Sequence, residues 1–152
     1  MLKAKDIMKR DIVTVPEGMT VEALGRLFIE KGVSHAPVVD ADGGLRGIVS
    51  ENDLISRQKR LHIPTVLRLF DAFIPLEPTG VMESEMRRMS ATTVSEICTR
   101  AVVTVDEETS LDEIATLMTE RRVHLLPVLR EGRLAGVVGK REVIRGMLGE
   151  AG

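Results

Sequence analysis

The sequence predicts an α/β (α+β) fold: two tandem β-α-β-β-α repeats packed as a pseudo-twofold intramolecular pair. Two observations carry this expectation. First, Ile7–Asp40 and Ile97–Arg130 align without gaps at a spacing of ninety residues. Ile7, Arg10, Val13, Thr14, Val15, Glu17, Leu27, Glu30, Val33, Pro37 and Val38 each meet an identical residue in the second copy. After a one-residue deletion, LRGIVSENDLI (Leu45–Ile55) falls on LAGVVGKREVI (Leu134–Ile144), and such self-similarity marks a repeat architecture. Second, a unit of ~50 residues is too small to bury a comfortable core by itself. Two copies are therefore expected to meet through their apolar strand faces in one shared core. The expected organisation is repeat 1 at 1–56, an insert at 57–93, repeat 2 at 94–148 and a tail at 149–152.

Each element follows from local pattern. The β-branched runs Ile12–Val15 and Val102–Val105 read as first strands. Thr20 and Ser110 are natural helix N-caps, and Ser110 with Glu113 has capping-box spacing. Val21, Leu24, Leu27 and Phe28 share one helical face, as do Leu111, Ile114, Leu117 and Met118. Gly32 is placed to end the first helix. Strands at Ala36–Val39 and Leu45–Val49 flank an Asp42-Gly43-Gly44 turn, matched by Leu126–Leu129 and Leu134–Val138 around Glu131-Gly132. Last helices open at Glu51 and Lys140. The insert has no counterpart in the repeats. Pro64, Pro75 and Pro78 interrupt it, and Val66, Leu67, Leu69, Phe70, Phe73, Ile74 and Leu76 make it too apolar for a free linker. Glu83–Ser90 is helical by pattern, with Met82, Met86 and Met89 on one stripe. The insert is expected to pack on the module or bury a dimer surface, with a ligand-gated lid as the alternative.

Composition narrows the function classes. Of 152 residues, 43% are apolar and 29% charged, the balance of a globular protein. The net charge is −2, so no basic excess points to nucleic acid. With no Trp, no Tyr and only three Phe, there is no platform for stacking single-stranded bases. Cys98 is the only cysteine, which excludes an internal disulfide; with three separated histidines it is poor material for a metal site. Neither a signal peptide nor an apolar run of membrane-spanning length is visible, so a cytoplasmic protein without membrane insertion is expected. No catalytic motif is present: neither a P-loop, nor G-x-S-x-G, nor H-E-x-x-H.

The segment Gly47-Ile48-Val49-Ser50-Glu51-Asn52-Asp53 is the sharpest local feature. A strand ends and a helix opens there, and a helix N-terminus suits a phosphate. Gly47 permits close backbone approach, and the Asp53 carboxylate can accept two ribose hydroxyls. The structural alternative makes Ser50 a plain N-cap and Asp53 its capping-box partner. In the second copy Gly139 replaces Ser50 and Glu142 replaces Asp53, a weaker or shifted site. That copy adds positive charge through His124, Lys140 and Arg141. The alternatives are a satisfied histidine at a strand entrance and a solvated helix start, although cations there oppose the helix dipole. His35 has either the cleft or solvent to face, His62 reads as structural, and Cys98 as a small core residue.

These residues resemble the CBS-domain pair, or Bateman module. The matching stretches are DIMKRDIVTV, the helix after MTVEAL, GVSHAPVVD and GIVSENDLI, then ICTRAVVTV, RRVHLLPVL and LAGVVGKREVI. The resemblance implies two clefts between the repeats that hold adenosine-containing ligands: AMP, ADP or ATP, alternatively S-adenosylmethionine. It implies no catalysis and no required cofactor, but a stand-alone sensor, a homodimer, acting on an unknown effector protein. Carried over residue by residue, Ser50, Asn52 and Asp53 would hold ribose and phosphate. His124, Arg141 and Lys140 would reach the phosphates. Ile12, Val13, Thr14, Ala36 and Pro37 would line the adenine pocket, and Thr104 and Glu142 would belong to a weaker second site. The expected outcome is one good site, asymmetrically built from both copies. The competing reading is a structural dimerisation module with unoccupied clefts.

Overall fold

The computed structural model describes residues 1–61 and 92–149. The expectations for the proline-rich apolar stretch, the Met stripe and His62 lie outside the described residues. A short helix α1 (Ala4–Ile7) leads into the first repeat. It is followed by β1 (Val15–Pro16), α2 (Val21–Lys31), β2 (His35–Val39), β3 (Leu45–Ser50) and α3 (Glu51–Leu61). The second repeat runs through α4 (Val94–Ile97), β4 (Val105–Asp106), α5 (Leu111–Arg121), β5 (Leu125–Arg130), β6 (Arg133–Gly139) and α6 (Lys140–Met147). Each repeat forms one three-stranded sheet, in the orders β1-β2-β3 and β4-β5-β6. In both, the first strand is parallel to the second, Val15 opposite Val38 and Val105 opposite Val128. The second and third strands form an antiparallel hairpin, Ala36 opposite Val49 and Leu126 opposite Val138.

Local chemistry explains the boundaries. Thr20 Oγ1 accepts the Ala23 N–H at 3.1 Å, and Ser110 Oγ accepts that of Glu113 at 3.2 Å. Each cap satisfies a donor that the first helical turn leaves unpaired. Val21, Leu24 and Phe28 bury one face of α2. That helix ends where Gly32 turns left-handed at φ 63°. Its counterpart in α5 is Arg122 at φ 53°, a conformation that costs a side-chain-bearing residue more than glycine. The first hairpin turn is tied by Asp40, whose carboxylate accepts from the Asp42 and Gly44 N–H groups at 3.0 and 2.8 Å and from Arg46 Nε at 3.0 Å. Those donors hold its carboxyl below the usual range. The second turn places Glu131 and Gly132 at φ 51° and 79°, the pair of positive values that a type I′ hairpin requires.

Two expectations change. The first strands are shorter than the apolar runs: only Val15–Pro16 and Val105–Asp106 pair in the sheets. Thr14 and Thr104 precede them, because the segments before Val15 and Val105 leave their own sheet for the other repeat. Lys9 exchanges both backbone hydrogen bonds with Val137 of β6 at 2.8 and 3.0 Å, and Thr99 does the same with Ile48 of β3 at 2.9 Å each. The Ala4 and Lys5 N–H groups donate to Thr109 and Glu107; Val94 and Ser95 donate to Met19 and Glu17. Each of these backbone bonds thus has its pseudo-twofold counterpart.

The second change follows from this exchange. The buried residues form two clusters, not one shared core. Val105, Ile114, Leu126, Val128, Val138 and Val143 pack with Ala4, Ile7 and Met8 from the beginning of the chain. Val15, Leu24, Phe28, Ala36, Val38 and Val49 pack with Val94, while Ile97 and Cys98 lean on them. Each cluster is completed by the lead-in of the other repeat, so neither half is self-sufficient. On the surface, Lys3 and Lys5 bracket Glu108 and hold its carboxyl down to about 2. Among the described residues, no helix is long and apolar enough to cross a membrane.

Candidate functional site

The exchanged lead-ins create two clefts related by the pseudo-twofold. The larger has a volume of about 510 Å³. Its walls are the lead-in through Lys9, Asp11, Ile12 and Val13, the Gly32–His35 connection, and the β6–α6 junction from Gly139 to Glu142. The smaller, of about 180 Å³, lies between Thr99–Val103 of the second lead-in and the β3–α3 junction at Ser50, Asn52 and Asp53. His35 and His124 border both clefts, their ring centroids 5.7 Å apart and tilted by 48°. Ser34 Oγ lies 2.9 Å from His35 Nδ1. Burial, and after it the neighbouring His124, push His35 below its ordinary value of 6.5; neutral imidazole is favoured where a second cation would stand close.

The residues singled out from sequence are distributed, not gathered into one site. Ser50, Asn52 and Asp53 line the smaller cleft, whereas Lys140, Arg141 and Glu142 line the larger. His124 alone of the expected phosphate ligands reaches both. Ile12, Val13 and Pro37 face the larger cleft and so accompany Arg141, not Asp53. The physical reason is the crossover: the lead-in of repeat 1 pairs with β6, which sets it beside the start of α6. Ala36 is fully buried in the first repeat's cluster, and Thr14 is exposed; neither is among the described lining residues of these two clefts. Thr104 lines a separate groove with Thr109, Glu113 and Glu131. Gly47 does meet a close backbone, but it is that of Thr99: a Cβ there would lie 2.7 Å from the Thr99 carbonyl oxygen.

The two helix starts differ chemically. At α3, Asp53 Oδ2 accepts the Ser50 N–H at 2.8 Å and the Ser50 hydroxyl at 3.2 Å, while Ser50 Oγ accepts the Asp53 N–H at 3.4 Å. The Glu51 N–H donates to the Ser34 carbonyl at 2.9 Å. This is the capping arrangement weighed as the structural alternative; it leaves Asp53 Oδ1 outside these bonds. At α6, Glu142 Oε1 accepts the Gly139 N–H at 3.0 Å, with Lys140 and Arg141 on the same turn. Lys9 was not singled out from sequence, because it meets Lys140 and Arg141 only through the crossover. Burial raises the Cys98 thiol, which suits a packing role. Among the described residues, no three metal-ligating side chains cluster.

Comparison with known proteins supplies the family. The family model for the CBS domain matches residues 4–60 and 94–149. The chain is 30% identical over 154 residues to the uncharacterized protein MJ1426 of Methanocaldococcus jannaschii, covering 95% of this chain and 90% of that one. It also matches a homoserine O-acetyltransferase of Methanosalsum zhilinae at 26% identity, but spans only 23% of that protein. Among solved structures, CBSX2 in complex with AMP superposes with a TM-score of 0.74 at 22% identity, covering 98% of each chain. The CBS domain pair of protein MJ0100, in complex with 5′-methylthioadenosine and S-adenosyl-L-methionine, gives 0.73 at 21% identity over 98% of each chain. The duplicated β-α-β-β-α unit, the exchanged lead-ins and the paired clefts belong together: this chain is a member of the CBS-domain family, carrying a pair of CBS domains.

Proposed function

We propose that this chain is a regulatory module that binds an adenosine nucleotide and transmits its occupancy to a partner protein. The observation that carries the reading is the larger cleft, where Lys9, Lys140 and Arg141 converge at the N-terminus of α6. Two cations at a helix N-terminus oppose its dipole, and a bound phosphate turns that cost into three favourable contacts. Ile12, Val13 and Pro37 offer an apolar wall for the base, and His35 and His124 offer further donors. Relatives of the same fold seen with AMP, or with 5′-methylthioadenosine and S-adenosyl-L-methionine, support an adenosine-containing ligand. AMP, ADP and ATP suit the charge of this cleft better than S-adenosylmethionine. The effector protein, a homodimeric assembly and a cytoplasmic location belong to the same proposal and rest on the family resemblance.

One observation favours the structural reading: Asp53 and Glu142 both cap their own helices, so neither carboxylate needs a ligand to be satisfied. Calorimetry with AMP, ADP and ATP separates the two readings. Arg141→Ala removes a charged hydrogen bond worth about 1.5–3 kcal/mol, roughly 10- to 150-fold in ATP affinity at about 1.4 kcal/mol per decade. If no nucleotide binds below millimolar concentration, the structural module is the better account.

A further inference from the structure

We propose that the two clefts are selective for different forms of the ligand: the smaller takes an unphosphorylated nucleoside, and the phosphorylated one goes to the larger. The inference rests on the adenosine-binding reading above and goes beyond it by assigning a ligand class to each cleft.

Charge is the first argument. The larger cleft carries Lys9, Lys140 and Arg141 against Asp11 and Glu142. The smaller has neither lysine nor arginine among its described lining residues, and its one carboxylate is Asp53. A phosphate placed there loses its hydration with no lysine or arginine among the described lining residues to replace it. The helix termini give the second argument. A helix binds phosphate through unpaired N–H groups. At α3 three of these donors are committed: Ser50 N–H to Asp53, Glu51 N–H to Ser34, Asp53 N–H to Ser50 Oγ. At α6 the N–H of Lys140, which corresponds to Glu51, has no such acceptor among the described residues, so that end is open to an anion. Size is the third. The larger cleft, at about 510 Å³, falls within the range of roughly 300–1,000 Å³ usual for ligand pockets. The smaller, at about 180 Å³, has less room for a phosphate chain beyond the nucleoside. What the smaller cleft does offer is an apolar wall through Val102, Val103 and Val123, together with the uncommitted Asp53 Oδ1. An apolar surface with one acceptor suits a base and a ribose diol.

The test is calorimetric titration of the intact chain with adenosine and with ATP, each alone and each in the presence of the other. The expected result is that saturating ATP leaves adenosine binding in place. Arg141→Ala should weaken ATP tenfold or more while changing adenosine less than twofold. Asp53→Asn should weaken adenosine tenfold or more and spare ATP; its amide oxygen still accepts the Ser50 N–H, and a melting curve checks that the variant folds. If it does not fold, competition on the wild-type chain and the Arg141→Ala titrations still decide. Stoichiometric displacement of adenosine by ATP, or equal loss of both ligands in Asp53→Asn, overturns the assignment. Binding of ATP without adenosine overturns it and leaves the nucleotide-sensing reading intact, whereas binding of neither sinks both.

Discussion

Gly47→Ala tests the crossover that builds the clefts. A methyl group at this position would lie 2.7 Å from the Thr99 carbonyl oxygen and 3.0 Å from Cys98 Sγ. The nearest atom is backbone, so no side-chain rotation relieves the contact; the second lead-in has to move away from β3. Overpacking of this kind costs about 1–3 kcal/mol. The displacement also strains the two hydrogen bonds between Ile48 and Thr99, both 2.9 Å, each worth about 0.5–1.5 kcal/mol net. A combined loss of about 2–4 kcal/mol lowers Tm by roughly 4–16 °C at about 2–4 °C per kcal/mol for a chain of this size. The assay is thermal unfolding followed by circular dichroism at neutral pH. The substitution should also damage the smaller cleft, because Thr99–Val103 form one of its walls, and leave the larger cleft's ATP affinity within a few-fold of wild type. An unchanged Tm, or equal damage to both clefts, would refute the view that each lead-in is pinned to the opposite repeat and shapes one cleft.

Two further outcomes are expected. Because burial and His124 lower His35, the unfolded chain takes up protons at a higher pH than the folded one. Stability from this group is present above the ordinary value of 6.5 and is lost as pH falls toward the lowered value; Tm measured from pH 7.5 to 5 should decline, and His35→Gln should flatten that decline. Ile55 and Ile144 occupy equivalent positions on α3 and α6, and 64% and 53% of their surfaces are exposed, so the proposed homodimer is expected to cover these helix faces. Sedimentation should show the Ile55→Glu, Ile144→Glu double variant as a 16.7 kDa monomer and the wild-type chain as twice that mass; a monomeric wild type at tens of micromolar (about the range in which specific dimers persist) defeats the assembly.

Much of the fold was legible because its signals are local. Thr20, Ser110 and Gly32 perform the capping roles their residue types suggest, and the two hairpins keep equivalent register across the repeats. The left-handed residues Arg122 and Glu131 were not legible, because neither is a residue type that favours that conformation. Nor was the exchange of lead-ins. An alignment of Ile7 with Ile97 states that the two residues are equivalent; it does not state on which repeat each one packs. The apolar run at Ile12–Val15 looked like a strand for the same reason. Only its last residue enters a sheet, while Ile12 and Val13 cross to the cleft beside α6.

The same exchange explains why candidate residues grouped together from the sequence line two different clefts. A motif such as Gly47–Asp53 reports the chemistry of one helix start. A cleft in this architecture is made by two partners, a helix start from one repeat and the lead-in that precedes the other repeat's first strand. Asp53 therefore faces Thr99–Val103, not Ile12 and Val13, and Arg141 faces Lys9. Once the partners are exchanged, the differences between the copies take on a physical meaning. Ser50 and Asp53 close the donors of α3 upon themselves, while Gly139, Lys140 and Arg141 leave α6 cationic. On the proposed reading, the repeat that looked degenerate by comparison with the first offers the better anion site. The histidine pair stands where the two clefts meet, and both rings border each of them. On the assignment proposed above, two clefts that differ in chemistry but share a histidine wall would register two ligands at once, which a symmetric pair of identical sites could not distinguish.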